Sequence, residues 1–289
     1  MRLAKYICVL AFGILLSACS SNDVKVPENL TEAQLFQKAS EQLEKENFSG
    51  AVETLRALES RYPFGPFSEQ SQLDLIYAYY RSSEPESARA AAQRFIRLHP
   101  NNPNVDYAYY MRGLASNTAD LGLIERYIPV DMSRRDPGQA RQSFSEFSEL
   151  LRRFPDSRYA PDARQRMIHL RNRMAQYELH VANYYMKRKA YVAAVGRGRY
   201  VVEHLQGTPA VEEALGMMIE GYQHLALTTP AAQTLEVLKT NFPESKMLNA
   251  KGEFTGYRYY EDVDPSMLNT VTFGLIGNEP PPRVQPSAE

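Results

Sequence analysis

The chain has 289 residues, of which 44% are hydrophobic and 23% charged, a balance typical of globular domains with a buried core. Its formal net charge is −1, and removal of the two basic residues near its start would leave 31 basic residues against 34 acidic ones. Proteins that bind nucleic acid usually carry a marked basic excess, so this composition argues against a nucleic-acid partner.

The first eighteen residues have the pattern of a bacterial lipoprotein signal peptide. Arg2 and Lys5 flank the start of an apolar run, residues 6–16, which is too short to cross a membrane as a helix of about 20 residues. The sequence Leu-Ser-Ala-Cys follows and ends at Cys19. This arrangement is similar to a lipobox, which implies that residues 1–18 are removed and that Cys19 carries lipid. The alternative is an ordinary secretory signal that places a cysteine there.

Lipid chains on Cys19 would hold the protein at a membrane surface without spanning it. Cys8 lies in the segment predicted to be removed, so the mature chain would have one cysteine and no disulfide bond or cysteine-based metal site. Ser20, not aspartate, follows Cys19. By resemblance to bacterial sorting signals, this implies the inner leaflet of the outer membrane. Residues 19–30 are expected to be a linker.

From about residue 30 the sequence predicts helices with a spacing that repeats along the chain. A small residue is followed by further residues of the same helix face four and seven positions later, and in most copies by a proline twelve positions later. The small residue allows a close approach of a partner helix, and the proline ends the helix. The five copies begin at Ala51, Ala88, Ser143, Ala194 and Ala231, and the fourth lacks the proline.

Another amphipathic segment precedes each copy, and such pairs are similar to tetratricopeptide (TPR) repeats, whose period is about 34 residues. We therefore predict an all-α, TPR-like α-solenoid of about five helix pairs. Its modules are expected at residues 31–135, with an inserted loop from residue 117, and at residues 136–245. One long helix from Pro161 to about Lys189 would join them, and Asp136 would cap the helix that follows the insertion. Residues 246–289 are expected to be a tail, partly disordered.

No motif in the sequence predicts catalysis. The five histidines do not occur in the spacing of a zinc-binding helix, and the glycine motifs of phosphate loops, dinucleotide sites and serine hydrolases are absent. We therefore expect no enzyme activity, no metal and no cofactor, apart from the covalent lipid on Cys19.

Tyrosine and arginine are the residues that suggest binding. The chain has 19 tyrosines, several of them clustered on the predicted inner helices, and arginines lie near the first two repeats. A groove with aromatic rings and guanidinium groups suits an extended peptide that ends in an aromatic residue and a carboxylate. The alternative for each tyrosine is packing in the core, as expected for Tyr79, and for each arginine a solvated helix face.

Residues 61–67, Arg-Tyr-Pro-Phe-Gly-Pro-Phe, and residues 72–80 form the stretch most similar to a known family. They resemble the BamD family of TPR lipoproteins, which belong to the machinery that assembles outer-membrane β-barrels. Residues 94–98, 106–114 and 135–147 follow the same pattern, and the resemblance covers about residues 1–243. The tail departs from the short end expected of the family.

The resemblance implies a scaffold on the periplasmic side of the outer membrane. It would bind the barrel-forming BamA subunit through its C-terminal half, and accessory Bam lipoproteins would be further partners. Its N-terminal half would receive the targeting signals of unfolded outer-membrane proteins and promote their insertion.

The site residues follow from the same resemblance and from the tyrosine and arginine pattern. Tyr62 and Arg97 lie in the segment similar to the signal-binding region of the family, and Arg197 matches an arginine that contacts BamA. The residues expected to bind signals are Tyr62, Tyr77, Tyr80, Arg94 and Arg97. Those expected to bind the partner are Tyr184, Tyr185 and Arg197.

Two other functions fit parts of the sequence. A secretion-pilot or peptidoglycan-associated TPR adaptor would share the fold and the lipid anchor. A periplasmic enzyme with a helical accessory array would need a catalytic motif that the sequence lacks.

Overall fold

The structure is a computed structural model that describes residues 26–119 and 134–257. In these ranges the chain forms ten α-helices, numbered here in chain order. The first five are α1 (Glu32–Glu44), α2 (Phe48–Arg61), α3 (Ser68–Arg81), α4 (Pro85–Leu98) and α5 (Val105–Ala119). The other five are α6 (Gly138–Arg153), α7 (Ala160–Lys187), α8 (Tyr191–His204), α9 (Ala210–His224) and α10 (Thr228–Asn241).

The small residue of each repeat and the positions four and seven residues after it, here called slots, form the core of the helix pairs. In α2, α4 and α6 the small residue and both following slots are almost fully buried. These residues are Ala51, Leu55, Leu58, Ala88, Ala92, Phe95, Ser143, Phe147 and Leu150. Ala194, Gly198 and Val201 are buried in α8, and in α10 Ala231 and Leu238 are buried while Leu235 is half-buried. The prediction of an all-α, TPR-like solenoid is confirmed.

The chain divides into two compact units, residues 1–111 and 112–289. This division falls within α5. The modules expected from the repeat spacing, residues 31–135 and 136–245, remain a prediction. The predicted long helix is present as α7, whose 28 residues span about 42 Å. It packs against α6, α8 and α9, and it belongs to the second unit.

Prolines determine where four of the helices end. Each of these helices is followed by one residue that precedes a proline and has φ between −135° and −127° and ψ between 55° and 66°. The proline ring disfavours the helical conformation for the residue before it. The N–H group of that residue still donates to the carbonyl four positions back at 2.8 Å. The four residues are Tyr62, His99, Phe154 and Phe242.

The turn inside four of the helix pairs has the same backbone geometry. Its central residue has a φ between 56° and 70°, the left-handed region that glycine adopts most readily, yet none of the four is glycine. The N–H group of the next residue donates to the carbonyl five positions back at 2.8–2.9 Å, which is the Schellman hydrogen bond. The central residues are Glu46, Ser83, Lys189 and Ala226, each five positions before the small slot of its pair.

One prediction from the sequence is wrong, and one alternative that it left open is decided. Asp136 does not cap the helix after the insertion, because α6 begins at Gly138 with Pro137 as its N-cap residue, and the Asp136 carboxylate instead pairs with Arg141 at 3.0 Å. Core packing, the alternative left open for each tyrosine, does not apply to Tyr184, which is 51% exposed. Most of the predicted insertion, residues 120–133, lies outside the described residues.

A buried ionic cluster fastens α5 to α6. The Arg112 side chain is 6% exposed, and its Nη2 lies 2.6 Å from Oε2 of Glu149 and its Nε 3.9 Å from Oε1 of Glu146. Glu146 is also buried and accepts hydrogen bonds from Ser116 at 2.7 Å and Gln142 at 2.8 Å. Burial raises the pKa of Glu149, but the hydrogen bonds and the charges of Arg112 and Arg153 together lower that pKa below its ordinary value.

The described part of the tail covers the end of the helix array. The N–H group of Ser245 donates to the carbonyl of Phe242 and that of Leu248 to the carbonyl of Ser245, both at 3.0 Å. The loops that lead into α5 and α7 contain the same pair of hydrogen bonds. No helix follows within the described residues; instead Leu248 and Phe254 form an antiparallel bridge. Both side chains pack on a core of α9 and α10. Residues 245–257, here called the tail strap, therefore stand where another helix pair would begin.

Gly196 and Gly198 of α8 allow a matched test of this packing. A Cβ atom at Gly198 would lie 2.8 Å from Cγ of Met218 and 3.2 Å from the carbonyl oxygen of Ala214, whereas one at Gly196 would have no neighbour within 4 Å. Gly196→Ala is expected to raise the free energy of unfolding by about 0.5–1 kcal/mol through helix propensity. Gly198→Ala is expected to lower it by about 1–3 kcal/mol through overpacking. Urea unfolding followed by circular dichroism measures both, and changes of the same sign would contradict this account.

Candidate binding surfaces

Arg197 connects α8 to α7 through an ion pair. Its Nη1 donates to Oε2 of Glu178 at 2.8 Å, where the Glu178 side chain is 7% exposed and that of Arg197 42% exposed. This hydrogen bond raises the pKa of Arg197 above its ordinary value, and Tyr185 adds a contribution of the same sign. A carboxylate buried this deeply needs a charged donor, so Arg197 is held on one side by Glu178 and exposes its other side.

Tyr184 and Tyr185 of α7 lie beside this ion pair. Their ring centroids are 5.7 Å apart in an edge-to-face arrangement, and Tyr185 is the tyrosine that contributes to the raised pKa of Arg197. The guanidinium of Arg188 lies over the ring of Tyr184, with its Cζ 4.9 Å from the ring centroid. The structure thus brings together the three residues predicted to bind the partner. We call Tyr184, Tyr185, Arg188 and Arg197 the arginine–tyrosine surface; its binding role stays a prediction.

Replacement of Arg197 is expected to affect folding as well as binding. Arg197→Ala leaves the buried Glu178 carboxylate without its charged donor and should lower the free energy of unfolding by about 1–3 kcal/mol. The double variant with Glu178→Gln carries no buried charge at this position and should regain most of that loss. Thermal unfolding of the single and double variants measures the difference. Equal stability of Arg197→Ala and the unchanged chain would show that the ion pair contributes nothing.

Tyr62 lies against the segment that leads into α1. Its hydroxyl donates to the carbonyl of Leu30 at 3.1 Å. The neighbouring Arg61 donates through Nη1 to the carbonyl of Pro27 at 2.7 Å and through Nη2 to that of Val26 at 3.2 Å. Backbone carbonyls in residues 26–30 therefore accept the hydrogen bonds that the side chains of Arg61 and Tyr62 donate.

The other residues predicted to bind signals lie in different surroundings. Tyr77 accepts a hydrogen bond from Arg81 at 2.6 Å, and the Arg81 guanidinium lies 4.3 Å from the centroid of the Phe48 ring. Arg94 pairs with Glu59 at 2.6 Å. Tyr80 is half-buried on α3, and Arg97 is exposed in the last turn of α4. In residues 26–119 the described contacts do not join these five residues into one cluster, and their role as a signal site stays a prediction.

Phe64 is a surface residue that the sequence analysis did not single out. Its side chain is 98% exposed although its loop is firmly held. Ser68 Oγ donates to the carbonyl of Pro63 at 2.7 Å, and the ring of Phe67 stacks on Phe36 at 4.7 Å between centroids. Both phenylalanines lie in the same motif, and no local pattern distinguishes the packed ring from the exposed one. An exposed ring on a fixed loop suits a contact with another molecule.

Within residues 26–119 and 134–257, no three or more His, Cys, Asp or Glu side chains are grouped so that they could hold a metal ion. None of the helices described above is both long and apolar enough to cross a membrane.

The family model of the YfiO outer membrane lipoproteins matches residues 28–238. The chain belongs to the YfiO family. Among its YfiO relatives, the outer membrane protein assembly factor BamD of Neisseria meningitidis (serogroup A) is 40% identical over 249 residues, which cover 84% of this chain and 93% of the relative. The BamD of Vibrio cholerae is 39% identical over 233 residues, which cover 81% and 96%. The resemblance to BamD that the sequence predicts is confirmed.

Solved structures that match this YfiO-family chain are more distant. The crystal structure of MamA is 14% identical, with a TM-score of 0.30, and the match covers 74% of this chain and 95% of that one. A structure of PilF from Pseudomonas aeruginosa is 17% identical, with a TM-score of 0.25 over 74% and 93% of the two chains. Such scores support no inference about function, and the fold class rests on the helices and their buried slots.

Proposed function

We propose that the chain is a non-enzymatic scaffold lipoprotein of the outer-membrane β-barrel assembly complex. It is anchored by lipid on Cys19 in the inner leaflet of the outer membrane and faces the periplasm. The observation that carries this proposal is the 40% identity to an outer membrane protein assembly factor BamD over 84% of the chain. The pattern of its first nineteen residues supports the anchor.

The partner in this proposal is a BamA-like, barrel-forming subunit, which docks on the arginine–tyrosine surface. Accessory Bam lipoproteins are further partners. Tyr184 has an exposed ring, and Arg197 is partly exposed. Tyrosine and arginine are among the residue types that contribute most at protein interfaces. Glu178 fixes the guanidinium before the partner arrives, which reduces the entropy lost on binding.

The clients in this proposal are unfolded outer-membrane proteins, whose targeting signals bind the first unit. Tyr62, Tyr77, Tyr80, Arg94 and Arg97 are the residues proposed to contact them, and the scaffold promotes client folding and insertion. Since the structure joins Tyr62 to residues 26–30 and Arg94 to Glu59, a client would exchange these contacts for its own.

The second candidate is a secretion-pilot or peptidoglycan-associated adaptor, which the same helix array and lipid anchor would suit. The family relationship favours barrel assembly, because the relatives that match most of the chain bear the name of assembly factors. Crosslinking in intact cells separates the two, since an adaptor of the second kind would give secretin or cell-wall adducts.

A pull-down from detergent-solubilised outer membrane, followed by mass spectrometry, tests the proposal. The unchanged chain is expected to recover a barrel-forming subunit. The double variant Arg197→Ala with Glu178→Gln should recover at least about tenfold less of it, as expected when an interface hot spot is lost. Arg152→Ala, which removes an exposed arginine of α6, is the matched control and should behave like the unchanged chain.

Recovery of the unchanged chain as a clean monomer would overturn the scaffold proposal. Normal recovery of the subunit by the double variant would overturn only the assignment of the arginine–tyrosine surface.

A further inference from the structure

Tyr257, the last described residue of the tail strap, lies between two helices of the second unit. Its side chain is buried, and its hydroxyl lies 2.5 Å from Oε1 of Glu213 and 2.9 Å from Oδ1 of Asn183. Its backbone N–H donates to Oε2 of Glu220 at 2.7 Å. Glu213 and Glu220 belong to α9 and Asn183 to α7, so one residue of an extended segment contacts both helices.

The chemistry of these contacts is specific for a tyrosine. A phenol has one proton, which it donates to the Glu213 carboxylate as a charge-assisted hydrogen bond. The phenol oxygen can then accept a hydrogen bond from the NH₂ group of Asn183. This requires the Asn183 amide to be flipped, an orientation that side-chain amides allow. A phenylalanine ring would fill the same space but would leave the Glu213 carboxylate without this donor.

A glycine on α9 makes room for the tail strap. A Cβ atom at Gly216 would collide with the sulfur of Met247 and would lie 3.4 Å from the ring of Tyr257. The backbone of α9 is therefore open where the strap passes over it. Helix propensity alone would favour alanine at this position, so the glycine fits the close approach of another chain segment.

Tyr257 lies across the first helices of two consecutive helix pairs. α7 and α9 are the first helices of consecutive pairs, and they pack against each other directly. Stacked repeats use the extended concave surface formed by successive units to bind their ligands. Residues 254–257 therefore cross a surface that two successive units of the array form together.

We propose that the cleft between α7 and α9 is a binding site for a tyrosine on an extended peptide, with the chain's own residues 254–257 as its resident occupant. Asn183, Glu213 and Glu220 recognise the hydroxyl and the backbone N–H of that tyrosine. Another segment of the same chemistry enters the cleft only when the tail strap leaves, so the tail controls access to the second unit. This proposal does not depend on the assembly partner named above.

A peptide-binding experiment tests the site. The probe is a fluorescently labelled synthetic peptide with the sequence of residues 250–257, Ala-Lys-Gly-Glu-Phe-Thr-Gly-Tyr, with an amidated C-terminus. The full mature chain with Tyr257→Ala is expected to bind the probe, because its cleft has lost the resident ring, and the unchanged chain is expected to bind it at least about tenfold more weakly. Fluorescence anisotropy measures both affinities.

Two matched changes examine the recognition. A probe that ends in phenylalanine, and a chain that carries Glu213→Gln together with Tyr257→Ala, should each bind at least about tenfold more weakly, as expected when a hydrogen bond to a charged group is lost. Equal affinity for the tyrosine and phenylalanine probes would overturn the proposal. So would absence of binding to the Tyr257→Ala chain up to about 1 mM probe.

A second variant keeps the test valid if Tyr257→Ala does not fold. Tyr257→Phe retains the packing of the ring and removes only the hydroxyl. Hydrogen exchange of the amides of residues 252–257 is expected to be at least about tenfold faster in this variant, while the amides of α2 in the first unit keep their rates. Unchanged exchange in residues 252–257 would show that the hydroxyl does not hold the strap and would overturn the proposal.

Discussion

Replacement of Arg112 by methionine is expected to lower the free energy of unfolding by about 3 kcal/mol. The methionine fills much of the same volume, so the loss is electrostatic. Glu146 would keep its hydrogen bonds from Ser116 and Gln142, but its buried carboxylate would lose the positive charge of Arg112, whose Nε lies 3.9 Å away. The cost of leaving one member of a buried ion pair without its partner commonly reaches 3–5 kcal/mol. Urea unfolding monitored by circular dichroism measures it.

The pH dependence of this loss separates charge from packing. In the unchanged chain Arg112 and Arg153 together lower the pKa of Glu149 below its ordinary value of 4.5. The stability from this carboxylate is therefore present above that value and is lost as the pH falls through the lowered pKa. Arg112→Met lacks the part of this contribution that depends on Arg112. The difference in stability between the two chains should therefore shrink in acid.

The double variant Arg112→Met with Glu146→Gln is the matched control. It has no buried carboxylate at position 146 and should regain at least half of the lost stability. A loss that stays constant from neutral pH to below 4.5, or a double variant as unstable as the single one, would show that packing and not charge determines the effect.

Loss of Cys19 is expected to release nearly all of the protein from the membrane. Each buried CH₂ group of an acyl chain contributes about 0.8 kcal/mol, and stable anchoring requires more than one chain or a second signal. None of the helices that the structure describes is able to cross a membrane in their place. The test uses Cys19→Ala exported from an ordinary cleavable signal peptide, so that export does not depend on the cysteine.

Fractionation after an alkaline wash, which removes proteins held only by partners, shows where the chain lies. Cys8→Ala in the native sequence is the matched control, since Cys8 lies in the segment predicted to be removed. That variant should stay in the membrane fraction with the unchanged chain. Resistance of the Cys19→Ala protein to the alkaline wash would disprove the lipid anchor.

The helix pairs were predictable because their signals are local. A small residue such as Ala51 or Ala88, with its slots four and seven positions later, defines one face of one helix, and Pro63 or Pro100 marks where that helix ends. The structure buries these slots as expected. The turns inside the pairs escaped prediction because their left-handed residues, such as Glu46 and Lys189, are not glycines.

Features that depend on distant parts of the chain were not predictable from spacing. The pairing of Arg112 with Glu146 and Glu149 joins residues more than thirty positions apart. The tail after Pro243 lacks the repeat pattern, yet Tyr257 finds acceptors on two earlier helices. Neither contact leaves a periodic trace in the sequence.

The candidate sites show the same limit. The tyrosine pattern selected Tyr184 and Tyr185, the family resemblance selected Arg197, and the structure groups the three residues. The same selection could not separate donors already engaged within the chain, as in Tyr62, from side chains that remain exposed, as in Arg97. Nor did it identify Glu178, whose burial determines how Arg197 is held.

The repeated turn geometry divides parts of the helix array into segments of equal length with matching ends. From Glu46 to Ser83 and from Lys189 to Ala226 the interval is 37 residues in both cases, and all four end points have the same left-handed backbone. Because each of these two segments begins and ends in the same backbone conformation, the end of one copy can be joined to the start of another without a change of conformation at the junction. Duplication of either stretch at the level of the gene would lengthen the array by one turn-to-turn step and preserve the backbone conformation at both junctions.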